Sequence, residues 1–398
     1  MTSFFKRNIP SLPVLKLFMF SALVWAAVVG PISAVLILVN VGATSPQIGV
    51  VTALCAVMAM VFAPVFGLIS DKLGSPRLVL SCCLFAAAVF FGMVLFTQNF
   101  YTVATLLILE AVFRSGIVAL LDSHIISETK AIPGLQYSHI RLSGSLSFGG
   151  ISLFYSFVIN EGGILAIVPI SLAIAAAAVI WGLSVAKGRW EAKKDPGHVV
   201  RRAKSNIKKD AASLLKNKAF VMLVLFSGLS ALSIMPMFVF LIEFVNVLGG
   251  SPGQVPFIHA MRCVVEIPVF IYIGTKCKNT APKKLLSIGA ALTVMYTVGI
   301  FFANSFLVLL LSHALMGAPG FILMLTGRLR YLNLVTPEAV RSTSITLMGT
   351  GEIAIGSIIG NLLAGFVIWN FGTAHLALFS FGMVSLAVVL LVFMPSKQ

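Results

Sequence analysis

The chain has 398 residues, 59% of them apolar and only 10% charged, with a net charge of +16. Soluble domains carry about 25% charged residues, so there is too little polar sequence here to cover a soluble core, and lipid is the expected solvent for most of the surface. The positive charge does not point to nucleic acid, because nearly all of it lies in the gaps that flank long apolar runs.

In chain order, runs that reach the roughly 20 residues needed to cross a bilayer occupy about 17–40, 47–69, 78–97, 101–126, 142–160, 164–186, 219–246, 254–275, 284–303, 306–327, 342–368 and 374–394. Their length predicts helices, since barrel strands would be about 10 residues long and alternate in polarity. The fold class expected is all-α: twelve transmembrane helices in two pseudo-symmetric six-helix bundles. The first run follows Lys6, Arg7 and Lys16 and imitates a signal peptide up to Ser33-Ala34. It continues through Val39, too long for a cleaved leader, and is read as an uncleaved first span. Of the 28 Lys and Arg, all but Arg114 and Arg262 fall in every second gap. By the positive-inside rule both termini and the central loop are cytoplasmic, and the flanking cations meet anionic headgroups. The outer gaps Gly42 to Pro46, Thr97 to Tyr101 and Gly249 to Gly253 contain neither Lys nor Arg.

The longest polar stretch, Lys187 to Lys218, splits the spans six and six. The division expected is residues 1–186 for the first bundle, 187–218 for a basic cytoplasmic linker and 219–398 for the second bundle. Ile207, Ala211, Leu214 and Leu215 are spaced for an amphipathic helix on the inner leaflet; the alternative is a solvated linker with a basic face. Two such halves suggest a transporter built from parallel repeats around a cavity opened alternately to each side. Cys55, Cys82, Cys83, Cys263 and Cys277 are expected as free thiols.

Charges inside spans are costly, about 2.5–3.5 kcal/mol each on insertion scales, so each asks for a reason. Glu110 and Arg114 lie four apart on span 4, and Arg262 and Glu266 repeat that spacing on span 8, each pair sharing one helix face. The bland reading is local neutralisation; the sharper one is a pairing that solute or proton rearranges. Pro268 follows the second pair and loosens the helix backbone. Glu352, in Gly349-Thr-Gly351-Glu352 of span 11, has no cation on its own helix and suits a proton carrier. Glu243 is the acid of span 7. His313 on span 10 is a substrate-site candidate, His259 a weaker one, and Trp25 on span 1 is placed to stack on a sugar or base ring. Gly356, Gly360 and Gly365 on span 11, with Gly144 and Gly149 on span 5, read as close-packing faces. No metal-ligand spacing is present, no cofactor is implied, and nothing marks an enzyme.

Gly67 to Arg77, between spans 2 and 3, resembles the loop signature G-x-x-x-D-x-x-G-x-x-R of the major facilitator superfamily, through Gly67, Asp71, Gly74 and Arg77. Gly67 is expected to let helices approach closely, Gly74 to permit a tight turn, and Asp71 to pair with Arg77 or cap the N-terminus of span 11. In the family this cluster gates the cytoplasmic side. A second likeness is narrower. Asp122 on span 4, Arg141-Leu-Ser-Gly144-Ser145 opening span 5, Glu266-Ile-Pro268 on span 8 and His313 resemble the oligosaccharide and nucleoside proton symporters related to lactose permease. That resemblance implies solute contact at Asp122 and Arg141 and proton coupling at Glu266. The sequence departs from it at Leu310 and Met316, where the permease has a lysine and its proton-carrying glutamate, and on span 7, where the permease's acidic pair is absent. Drug/proton antiporters carry a proline in their span 5 signature; Gly144 to Ser156 has none.

The function expected is proton-coupled import of a small polar organic solute, a sugar, glycoside or nucleoside first. Its partners are that solute, protons and the bilayer of a bacterial plasma membrane, with no nucleic acid, and the chain is expected to act as a monomer. Asp122, Arg141, Arg262, Glu110, Arg114, His313 and Trp25 are the solute-site candidates, and Glu266, Glu352 and Glu243 the proton-coupling ones. An organic-anion carrier using Arg114, Arg141 and Arg262, and an exporter of amphipathic compounds, are the transport alternatives; a membrane sensor is the alternative outside transport.

Overall fold

Within hydrocarbon, every backbone N–H and C=O must be satisfied inside its own segment, which leaves helices as the solution for apolar runs of this length. The computed structural model describes residues 12–131, 135, 137–184, 213–277, 279–337 and 340–395. Twelve of its helices are long and apolar enough to cross a membrane. They are span 1 Leu12–Asn40, span 2 Ser45–Leu73, span 3 Pro76–Phe96, span 4 Phe100–Thr129, span 5 Ile140–Gly162 and span 6 Ile164–Ser184, then span 7 Lys218–Val239, span 8 Gln254–Lys276, span 9 Pro282–Phe301, span 10 Phe306–Val335, span 11 Thr343–Phe371 and span 12 Thr373–Phe393. Span 7 stops earlier than its apolar run. Pro236 lies inside it, and after Phe240 a short helix, Leu241–Val247, carries the rest. Ile207 and Ala211 of the linker lie outside the described residues.

Contacts divide the chain into two compact units, one drawn from Met1–Ile37 and Met58–Gly197, the other from Leu38–Val57 and His198–Gln398. The first turns of span 2 therefore group with the second unit, a finer division than the polar linker suggests. There, a Cβ on Gly49 would lie 2.5 Å from the Asn361 carbonyl oxygen, and one on Gly365 2.5 Å from that of Ser45.

In the first unit, spans 1 and 5, 1 and 6, 3 and 4, and 3 and 6 are the main packed pairs. Its core joins Phe20, Leu80, Leu121 and Ala178 from spans 1, 3, 4 and 6. In the second unit, spans 7 and 11, 7 and 12, 9 and 10, and 9 and 12 pair in the same way. Its core joins Leu223, Leu286, Leu332 and Ala387 from spans 7, 9, 10 and 12. Each pair recurs six spans later, so the repeat that is faint in sequence is plain in packing. Large apolar side chains such as Phe85, Phe157, Ile180 and Trp369 stay more than 60% exposed, as expected where lipid is the solvent.

Small residues set the tightest crossings. A Cβ on Gly356 of span 11 would lie 2.5 Å from the Ala231 Cβ of span 7, and one on Gly360 2.9 Å from Pro236. Close backbone approach of this kind supplies packing where helices gain no hydrophobic drive from leaving lipid. Two spans change gauge beside polar residues. A π-helical turn, Ser312–Gly317, interrupts span 10, and another, Ile353–Ile359, interrupts span 11. Such turns are rare and concentrate at functional sites.

Candidate solute and proton sites

The second unit contains the denser cluster. His259, Arg262 and Glu266 are three and four residues apart on span 8, a spacing that puts them on one face. Arg262 Nε donates to Glu266 Oε1 at 2.7 Å. The guanidinium also lies over two rings, 5.7 Å from the centroid of Phe238 and 5.0 Å from that of Phe321. The His259 ring stacks on Phe238 at 4.2 Å. His313, fully buried, sits 6.1 Å from His259, and its Nδ1 shares a hydrogen bond of 3.2 Å with the Tyr296 hydroxyl. His259 Nδ1 and His313 Nε2 have no partner among the described residues. Arg262 is thus a desolvated cation with one carboxylate, ring faces around it and two uncommitted imidazole nitrogens beside it.

A second ion pair joins spans 10 and 11 of the same unit: Arg328 Nη1 lies 2.5 Å from Glu352 Oε1. Arg341, the only cation on the helix that carries Glu352 among the described residues, is its first residue and about three turns away, but the fold supplies a near one from the neighbouring span. That corrects the picture of Glu352 as a carboxyl without a nearby cation. It stands directly before the π turn of span 11. Glu243 lies apart from both pairs, in the short helix after span 7, where its carboxylate accepts a hydrogen bond of 2.9 Å from Ser45 Oγ.

In the first unit, Glu110 is only 1% exposed and both its oxygens accept from Arg114 Nε, at 2.9 and 3.0 Å. Glu110 lines a small cavity with Ala27, Leu84, Ala87 and Ser171, while Arg114 remains partly exposed. Asp122, farther along span 4, is half-buried and engaged. Arg141 and Trp25 come together: the guanidinium lies 4.1 Å from the indole centroid. Gly144, one turn after Arg141, leaves the room for that stack.

The loop signature is only partly as expected. Gly74 has φ +62°, the left-handed conformation of a tight turn. Ser75 then caps span 3 through Leu78 N, with Pro76 in the first turn. A Cβ on Gly67 would meet open space, so close helix approach is not its role. Asp71 is exposed and makes no ion pair with the described residues of its own unit. Arg77 instead lies against span 4, where its charge acts on Glu128 and His124. Sequence reasoning passed over Glu128, Tyr296, Phe238 and Phe321 and gave Arg328 no role. Glu128 and Arg328 stand just past the ends of their apolar runs, where charge reads as topology, and the rings are indistinguishable from core.

The sequence matches the MFS_1 like family over residues 11–380. The chain belongs to that family. This MFS_1-like protein is 23% identical over 345 residues to the uncharacterized transporter YwbF of Bacillus subtilis (strain 168), covering 86% of this chain and 82% of the relative. Its fold is similar to that of a mutant of the nucleoside transporter NupG, with a TM-score of 0.81, 16% identity and 96% and 99% of the two chains covered. It is also similar to a D-xylose-proton symporter, with a TM-score of 0.73, 15% identity and 96% and 98% covered. The MFS_1-like chain is therefore an integral membrane transporter with the major facilitator fold and not an enzyme.

Proposed function

We propose that this chain is a proton-coupled symporter that imports a small polar organic solute by alternating access. The reading places it in a bacterial plasma membrane, as a monomer with both termini cytoplasmic. The observation that carries it is the Arg262–Glu266 pair, desolvated among Phe238, Phe321 and two histidines. A proton on Glu266 removes the charge that holds Arg262 and frees its donors for a solute; loss of the proton restores the pair. Glu352 and Arg328 form a second exchange of the same kind, beside a helix turn of altered gauge. Sugars, glycosides and nucleosides come first as solutes, on the likeness of Arg141 to Ser145 and Glu266 to Pro268 to the oligosaccharide and nucleoside symporters. The similarity in fold to a nucleoside transporter and a xylose-proton symporter supports the same choice.

The test is uptake into proteoliposomes under an imposed pH gradient, inside alkaline. Wild type is expected to accumulate solute. Glu266→Gln and Glu352→Gln are expected to lose accumulation while still exchanging solute across the bilayer. Uptake indifferent to the gradient, or full accumulation by both variants, would refute the reading.

A further inference from the structure

Among the described residues, spans 10 and 11 contain π-helical turns, and the two turns are held differently. In that of span 10, Ser312, His313, Ala314 and Gly317 are buried, with Gly317 against the Tyr296 ring and the Ser312 side chain against Gly299 of span 9. In that of span 11, Ile353–Ile359, only Gly356 is buried. What holds span 11 also changes across its turn. Toward Phe371 the helix is clamped against backbone. A Cβ on Gly356 would lie 2.5 Å from the Ala231 Cβ and 2.9 Å from the Ala231 carbonyl carbon, and Gly365 sits on the backbone of Ser45. Toward Arg341 the attachments are side chains: Ser344 and Met348 are buried, and Glu352 pairs with Arg328 of span 10. A Cβ on Gly349 would meet open space. Arg328 from span 10 and the Ser227 hydroxyl from span 7 are the charged and polar groups that face Glu352.

A π turn closes its hydrogen bonds one residue farther along the chain than an α turn. It therefore takes up one extra residue and sets the two halves of a helix about 100° out of α register. In span 11 the half toward Phe371 cannot turn, because its glycines meet backbone. The half toward Arg341 has one charged anchor, the Glu352–Arg328 pair, placed directly before the π turn. We propose that this turn is a register switch set by Glu352. While the carboxylate is ionised and paired with Arg328, the turn persists. A proton on the carboxylate releases the anchor, and the segment from Thr343 to Glu352 rotates by one residue into continuous α-helix. This rests on the proton-coupled reading above and gives protonation of Glu352 a mechanical consequence. Each Cα below the turn moves to the place of its chain neighbour, about 3.8 Å away. The turn of span 10, packed against span 9, stays as it is.

The experiment reads distances between paired spin labels in the full chain in lipid nanodiscs, with the five native cysteines changed to alanine. One pair, Ile345→Cys with Leu386→Cys, joins the segment below the turn to span 12. The other, Phe366→Cys with Leu378→Cys, joins the segment above it to the same span. All four side chains are exposed. The lower distance is expected to differ by about 4 Å or more between alkaline and acidic buffer, and the upper distance to stay constant. Glu352→Gln and Arg328→Gln are each expected to hold the acidic value at every pH. Deleting Ala354 removes the extra residue and is expected to abolish the change. Melting and gel filtration report folding; if the deletion fails to fold, the pH series and the two substitutions decide alone. A lower distance that ignores pH and both substitutions, an equal change in the upper pair, or a change that survives the deletion overturns the proposal. Gradient-driven uptake separates it from the reading beneath. A lower distance that moves in Glu352→Gln, with uptake indifferent to the pH gradient, keeps the switch and sinks proton coupling. Accumulation lost in Glu352→Gln with the distance unmoved does the reverse.

Discussion

Arg141 and Arg262 both lie over aromatic rings, one in each unit, yet among the described residues only the second of them holds a carboxylate. The helix pairings of the two units repeat: spans 1 and 5 in one unit correspond to spans 7 and 11 in the other. The charges do not repeat. A duplicated scaffold preserves what packing demands, the small residues and apolar seams. It leaves each polar site free to take its own chemistry, because ionisable side chains add little to the interfaces that hold a bundle together.

The sharpest way to break this comparison is to delete each arginine. Arg262→Ala strands Glu266 in a desolvated site and is expected to cost about 3–5 kcal/mol, with Arg262→Ala/Glu266→Ala recovering most of it. Arg141→Ala strands no carboxylate among the described residues, so it is expected to lose at most about 2 kcal/mol, the upper value of a cation–π contact. Unfolding in a graded detergent or denaturant series measures both, and equal losses would show that Arg141 has a carboxylate after all.

The glycines of the two equivalent seams sharpen it further. At Gly356 a new Cβ meets the Cβ and backbone of Ala231, which cannot yield, so Gly356→Ala is expected to cost about 1–3 kcal/mol. At Gly144 it meets the tips of Arg141 and Trp25, which can swing away, so Gly144→Ala is expected to cost less stability than Gly356→Ala and to displace the stack. Trp fluorescence of the variant, compared with Trp25→Phe to identify the Trp25 signal, reads that displacement. The smallest effect belongs to Tyr296→Phe. It removes one hydrogen bond to His313, worth about 0.5–1.5 kcal/mol, read in the same unfolding series.

Much of the fold was legible in the sequence. Run length specified helices and their number, because only a helix satisfies its own backbone in lipid. Gly74 was legible as a turn because no other residue adopts its φ so cheaply. The pairs Glu110–Arg114 and Arg262–Glu266 were legible because four-residue spacing on a helix is itself a contact. Arg328–Glu352 was not, since its partners come from different helices and the first stands where topology charges are expected. The same limit hid Tyr296 behind His313 and the rings of Phe238 and Phe321 around Arg262. The expected pairing of Asp71 with Arg77 is not formed among the described residues for a related reason: a motif gives the residues of a turn, while the titratable groups that feel the Arg77 charge come from span 4.

The sequence by itself determined that this chain crosses a membrane twelve times, because hydrophobicity over a fixed length is a property of each segment alone. It determined the local ion pairs for the same reason. Only the tertiary structure decided that Arg328 meets Glu352 and that Arg141 meets the ring of Trp25, because these contacts depend on atoms brought together from different spans. Trp25, Arg141 and Gly144 lie on spans 1 and 5, and their convergence follows from helix packing that no spacing within either span encodes.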